Sequence, residues 1–422
     1  MKKLSAVILG YGMRGAIYAK YAADHPDELE IKAVAEPVDN KRENAKKLHS
    51  LSDDMVFTDW TQVAELPKLA DFAVIAMQDD MHHIPALKMI EKGYNLLLEK
   101  PMAPTARECK EIAEAAEKKG VKVIVCHVLR FTDFFCKIKD IIDNDDIGDV
   151  MSVVHMENVG NIHQSHSFVR GNWRNKEESS PMILAKSCHD TDILQWLIGK
   201  KCKKVQSFGS LSYFTHENRP EGAPDYCIEG CPKADTCFYN AVKLYYDDKD
   251  NLWFRGVATD KVAPTDEDVK KAITDGPYGR CVFACDNDVV DHQVVNMEFE
   301  GGVTVSFTMN AFNEGGRFIR IFGTKGEIYA SIDSGIIDVF SFATRKHTEY
   351  DINNVGNNIT SGHGGGDTGI MIDLLKYFNG EEPSKSICDI NTSFMNHLIA
   401  FAAEESRLSD KVIDLEKYAA EV

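Results

Sequence analysis

The chain has 422 residues, 44% of them hydrophobic and 27% charged, with a formal net charge of −18. That length exceeds one ordinary core and predicts two domains, while the acidity argues against nucleic acid or an anionic membrane surface as partner. No apolar run nears the roughly 20 residues that span a bilayer, Met1-Lys2-Lys3 does not open a signal peptide, and eleven scattered cysteines suit a reducing compartment; a cytoplasmic protein acting on a small molecule is expected.

Leu4 to Leu9 is a compact apolar run, followed at once by Gly10-Tyr11-Gly12-Met13-Arg14-Gly15 and by the helix-compatible Ala16 to Tyr21. Strand, glycine turn and helix in this order form a pyrophosphate cradle. Glu30 to Ala35 reads as the next strand and ends at Glu36, about where an acidic side chain meets the adenosine ribose hydroxyls. A carboxylate there repels a 2′-phosphate, so NAD is expected over NADP, although Lys41 and Arg42 nearby keep NADP admissible. Further strands are read at Asp71 to Ala76, Tyr94 to Leu98 and Val121 to Cys126, with helices at Pro85 to Lys92 and, capped by Thr105, Ala106 to Lys118. Alternation from Leu4 to Val125 is the pattern of a doubly wound parallel sheet.

The stretch Leu96-Leu97-Leu98-Glu99-Lys100-Pro101 organises this half. Proline cannot continue a central ladder, so Lys100 stands at the carboxyl end of a strand, the edge where open parallel sheets bind ligands.

The glycine turn, the segment Ile75-Ala76-Met77-Gln78-Asp79-Asp80-Met81-His82, the Glu99-Lys100-Pro101 triplet and His189-Asp190-Thr191-Asp192 together resemble the Gfo/Idh/MocA oxidoreductases, named for glucose–fructose oxidoreductase and inositol dehydrogenase. The resemblance covers most of the chain except about Tyr213 to Gly279. It implies a Rossmann domain over residues 1–127 that binds NAD or NADP, and a hydroxyl of a sugar, cyclitol or related polyol as substrate. It also implies that Lys100 is catalytic and that His82 lies near the nicotinamide. Motif and resemblance together mark Gly10, Tyr11, Gly12, Met13, Arg14, Gly15, Glu36, Met77, His82, Glu99 and Lys100 as cofactor-binding.

Beyond Arg130 the texture changes. A helix at Phe134 to Ile142 precedes strands at Val150 to Glu157, Val205 to Ser212, Val290 to Phe299, Val303 to Met309 and Phe318 to Phe322, with Gly301-Gly302 as a hairpin signal. Residues 128–422 therefore read as an α+β domain on a mainly antiparallel sheet, with a cysteine-containing insertion near 213–279. In the resembling family such a sheet often makes homodimer or homotetramer contacts.

Oxidising an alcohol requires a base for the hydroxyl proton. Candidates crowd between His163 and Asp192: His163, His166, Arg170, Trp173, Arg174, Lys186, His189, Asp190 and Asp192. The family pairs an aspartate with the histidine four residues on. Aligned on His189 that position holds Ala185, a departure that leaves Lys186 either as proton-transfer and substrate-binding group or as an ion-pair partner. Lys100, His189 and Lys186 form the catalytic set; Lys100, Arg170, Trp173, Lys186, His189 and His363 form the substrate-binding set, His363 from Gly362-His363-Gly364-Gly365-Gly366-Asp367. Asp192 is expected to support rather than react. Cys227, Cys231 and Cys237, with Cys281 or Cys285, do not match a two-pair zinc module, so no metal is expected and the thiols read as small hydrophobes. The expected activity is NAD-dependent oxidation or reduction of a sugar-like compound. Two alternatives stand beside it: an NAD-retaining glycoside-cleaving enzyme that oxidises transiently, and a non-catalytic NAD-binding sensor.

Overall fold

The computed structural model describes residues 2–354 and 362–422. Strand and helix alternate from the start: β1 (Leu4–Leu9), α1 (Met13–Asp24), β2 (Leu29–Ala35), α2 (Asp39–Leu48), β3 (Val56–Phe57), α3 (Trp60–Glu65) and β4 (Phe72–Ile75). Then follow α4 (His83–Glu91), β5 (Asn95–Leu98), α5 (Ala106–Lys119) and β6 (Val123–Val125). Among the described residues the six strands form one parallel sheet in the order β3-β2-β1-β4-β5-β6. The switch between β1 and β4 opens the crevice that such sheets use for ligands.

Local sequence explains the helix ends. Thr105 caps α5 with a reciprocal capping box to Glu108, and Gly120 closes it in the left-handed region at φ +69°. β6 is shorter than the apolar run suggested, because pairing with β5 covers only Val123 to Val125.

The second half continues with α6 (Asp133–Asp143), β7 (Val150–Asn158), α7 (Asn161–His163), a π-helix at Gln164–Arg170, α8 (Met182–Ala185), α9 (Cys188–Ile198) and β8 (Cys202–Ser210). An insertion carrying α10 (Leu252–Thr259) and α11 (Asp266–Asp275) leads to β9 (His292–Phe299), β10 (Thr304–Asn310), β11 (Gly316–Gly323), β12 (Gly326–Ser331), β13 (Ile336–Ser341) and β14 (His347–Asp351). The chain ends in α12 (Gly366–Phe378), α13 (Ile390–Ser409), β15 (Ile413–Asp414) and α14 (Leu415–Glu421). Nine described strands form the second sheet, in the order β14-β13-β12-β11-β7-β10-β9-β8-β15, antiparallel except where β10 runs beside β7. Gly301 and Gly302, at φ +74° and +78°, make the β9–β10 hairpin.

Leu194, Leu197, Ile198, Leu398 and Phe401 of α9 and α13 join Val153, Val305, Phe307 and Ile321 of the sheet in one core. Met151, Val154, Phe208 and Tyr329 on the sheet strands stay exposed. α12 instead packs on the parallel sheet: Ile370, Met371, Leu374 and Leu375 share a core with Ala6 and Ile8 of β1 and Tyr18 of α1. No described helix is long and apolar enough to cross a membrane.

Candidate functional site

The glycine turn separates into two kinds of position. Gly10 sits at φ +89°, and a Cβ there would stand 2.6 Å from the Ala76 carbonyl oxygen. One on Gly15 would overlap the Gly10 carbonyl oxygen. Both are required by the protein's own packing. A Cβ on Gly12 would meet nothing within 4 Å, and no side chain caps α1 at this residue. The open space faces uncapped helix amides, so these residues fit a dinucleotide pyrophosphate.

Glu36 is buried at the end of β2, and its carboxylate accepts from the amides of Tyr11 at 2.7 Å and Val38 at 2.9 Å. Two bonds leave acceptor capacity for ribose hydroxyls. The cations beside it are engaged: Arg42 donates to the Glu36 and Pro37 carbonyls and pairs with Asp39, while Lys41 pairs with Asp260 of the insertion.

Arg14 and Glu99, both expected at the cofactor, bind each other. Arg14 Nε donates to Glu99 at 2.7 Å, its Nη2 to Asp367 at 2.7 Å and to Tyr18, and Tyr18 donates to Glu99 at 2.6 Å. Although burial opposes it, the Arg14 charge, with Lys100, holds the Glu99 carboxyl below its ordinary range. Met13 is exposed and Met77 half-buried. His82 is buried, with Nδ1 2.7 Å from the Pro101 carbonyl and Nε2 3.2 Å from that of Met77.

Lys100 follows β5 and its Nζ donates to the Ala185 carbonyl at 2.9 Å, so the backbone of Ala185 holds the lysine at the position where the sequence departs from the family pattern. Around it stand groups from both halves. Asp79 accepts from the Trp173 indole at 3.4 Å and from Ser179 at 3.2 Å; burial raises its pKa, and Lys100 and His82 oppose the rise. Burial lowers the pKa of Lys186, reinforced by Arg317 and Lys100, while Glu157, 3.3 Å from its Nζ, works the other way. His163 is pushed down to about 2 by burial and by the cations Lys186, Arg317 and Lys100, with the His166 imidazole adding to it, and so stays neutral.

Beneath these lies an ion-pair layer. Arg317 Nε binds Glu157 at 2.6 Å and Asp190 at 2.9 Å, and Asp190 also takes the His155 imidazole at 2.8 Å. Arg317 and His155 hold Asp190 down to about 2 against the effect of burial. Arg130 clamps Asp192 through two guanidinium nitrogens, Nε at 2.8 Å and Nη2 at 2.7 Å. His189 is buried in the first turn of α9, its ring 6.5 Å from that of His127.

The structure thus brings together Lys100, Lys186, His163, Trp173 and Asp79, with His189 in the first turn of α9, three residues after Lys186. Arg170 is engaged elsewhere: it is 1% exposed and donates to the carbonyls of Arg280 and Tyr239 in the insertion. The His363 side chain lies outside the described residues. Glu157, Arg317 and Asp79 were not singled out from sequence. Glu157 and Arg317 face each other only through the β7–β11 register, a pairing without local signal, whereas Asp79 lies inside the motif ending at His82.

Two family models match, one described as the oxidoreductase family NAD-binding Rossmann fold over residues 4–127, the other as its C-terminal alpha/beta domain over 139–415. The chain is 27% identical to "Putative oxidoreductase YteT" of Bacillus subtilis over 331 residues, 74% of this chain and 73% of that protein. It is 26% identical to the scyllo-inositol 2-dehydrogenase (NADP(+)) IolW of the same organism over 170 residues, 40% of this chain and 44% of IolW. The fold matches a levoglucosan dehydrogenase solved with NADH and L-sorbose at a TM-score of 0.71 and 17% identity, covering 98% of this chain and 99% of that one. The chain belongs to the NAD-binding oxidoreductase family of glucose–fructose oxidoreductase and inositol dehydrogenase, Gfo/Idh/MocA.

Proposed function

We propose that this protein is an NAD-linked dehydrogenase that oxidises a secondary hydroxyl of a cyclitol or sugar-like polyol. The observation that carries the reading is Lys100, held at a strand end by the Ala185 carbonyl, on the ligand edge of the sheet and among titratable groups from both halves. NAD, when bound, supplies the hydride acceptor. The Lys100 ammonium donates to the reacting oxygen and stabilises its charge as the proton leaves. His189 accepts or relays that proton, and Lys186, with its lowered pKa, orients a neighbouring hydroxyl through the charge it shares with Glu157. Trp173 offers an apolar face for a sugar ring. Glu36 at the end of β2, with Lys41 and Arg42 already engaged, supports NAD over NADP, and the NADP-linked relative makes that preference worth measuring.

Incubation of the protein and NAD with cyclitols, aldoses and anhydrosugars, followed at the NADH absorbance, tests the reading. NADH should accumulate with at least one of them. Ala185, in place of the family's aspartate, favours one second reading, bond cleavage through transient oxidation. Substrate consumption with no net NADH would replace the first reading by that one.

A further inference from the structure

One helix of the insertion joins the two ends of the cofactor cleft. Near the start of α10, the Trp253 ring stands edge-on to His163 at 5.2 Å, and His163 lies close enough to Lys186 and Lys100 to feel their charge. The helix stops at Asp260, whose carboxylate pairs with Lys41 at the start of α2 and whose carbonyl accepts from the Asn40 side chain at 3.4 Å. Lys100 follows β5, whereas Asn40 and Lys41 follow β2. In the sheet order β2-β1-β4-β5 those two strands are separated by about 14 Å at ordinary strand spacing. A helix rises about 10 Å from Trp253 to Asp260, and the Trp253 and Lys41 side chains reach over the remainder. α10 therefore runs along the carboxyl edge of the parallel sheet, where a dinucleotide lies between Glu36 and Lys100.

The two sides of α10 differ. Phe254 is buried with Tyr245, Val269 and Ile273, and Arg255 donates to the Tyr245 carbonyl at 3.0 Å and to Asp266 at 2.7 Å, so this side fixes the helix to the rest of the insertion. Trp253 and Asp260, two turns apart, fall on another side, and both are exposed. Asp260 ends the helix in the left-handed region at φ +57°, a conformation that glycine adopts with less strain. Glycine at this stop would leave Lys41 without its carboxylate. The Lys41–Asp260 pair is partly exposed, and pairs of this kind are weak, so the contact opens readily.

We propose that α10 is a gate over the NAD cleft and that the Lys41–Asp260 pair is its latch, which makes Asp260 a positioning residue of the cofactor site. The latch joins protein to protein and spends no bond on the dinucleotide. It therefore holds the closed form equally with and without NAD. Cofactor enters and leaves while the latch is open, so a weaker latch raises the association and release rates by the same factor and leaves affinity unchanged.

The test is stopped-flow fluorescence of NADH with the full-length protein, read as association on mixing and as release on chasing with excess NAD. It requires no polyol, so its outcome is separate from that of the dehydrogenase reading. Asp260→Asn keeps the shape of the helix stop and removes its charge. Both rate constants should rise together, roughly two- to fivefold, the range that an exposed ion pair spans, with the NADH dissociation constant unchanged. Lys41→Met should accelerate association in the same way from the other side of the latch. The double variant should be no faster than either single one, because both remove the same pair. Unchanged rates in Asp260→Asn overturn the proposal, as does faster release with unchanged association, which would make Asp260 a contributor to affinity and not a latch. A double variant accelerated by the product of the two single effects also overturns it.

Discussion

Under the proposed reading single residues set cofactor choice, and two positions of the glycine turn separate packing from binding. Glu36→Ser removes a carboxylate that opposes a 2′-phosphate; the NAD-to-NADP affinity ratio should fall, on the order of tenfold or more, in paired titrations. Because Glu36 also holds the Tyr11 and Val38 amides, NAD affinity itself should drop in the same variant. An unchanged ratio would remove Glu36 from discrimination. The glycine turn predicts an asymmetry. Gly12→Ala places its methyl in open space, so thermal stability should hold within about 0.5 kcal/mol while NAD affinity falls. Gly15→Ala drives a methyl into the Gly10 carbonyl and should cost about 1–3 kcal/mol of stability by strain. Calorimetry and NAD titration of the pair check both statements. These glycines were legible because their roles follow from adjacent residues. The ion pairs of Arg14 with Glu99 and Asp367 were not legible, because Asp367 comes from the start of α12, some 270 residues beyond Glu99 in sequence.

At the scale of elements, five of the six parallel strands were readable, since strand runs, the Thr105 cap and the glycine stops are local signals, while the two-residue β3 was not. The second sheet was readable in five of its nine described strands, β12 to β15 being missed, and its order was not readable, because the β7–β10 parallel pairing joins residues about 150 apart. That pairing and the β7–β11 register create the Glu157–Arg317–Asp190 layer, which no periodicity announces. The docking of α12 on the parallel sheet likewise has no local signal. Thr105→Ala breaks a reciprocal capping box and should cost about 1 kcal/mol, measurable by urea unfolding. Because the Thr105 side chain bonds within its own capping box to Glu108, turnover at a temperature where the variant is folded should stay unchanged.

The molecule as a whole should be acid-sensitive. Burial, with neighbouring cations and imidazoles, pushes His163 down to about 2 and His166 and His397 to about 3, against 6.5 for the free side chain. The unfolded chain therefore binds more protons below that value, and the stability these histidines contribute is present above pH 6.5 and lost as pH falls. The slope should be on the order of 1.4 kcal/mol per pH unit for each histidine. Asp79 and Asp192, whose pKa values burial raises, bind protons more readily in the fold and offset part of the loss at lower pH. Urea midpoints at pH 7.5 and 5.5 measure this, and equal midpoints would show that the imidazoles are not held neutral. In the proposed reaction both halves meet at Lys100, which follows β5 and is held by the last residue of α8. The direct measurement is the turnover of Lys100→Ala on the polyol that gives NADH with the wild type, alongside NAD titration. Loss of an ammonium that bonds the reacting oxygen should cut turnover by roughly a hundredfold or more with NAD affinity nearly unchanged; near-normal turnover in a variant that binds NAD would contradict the account.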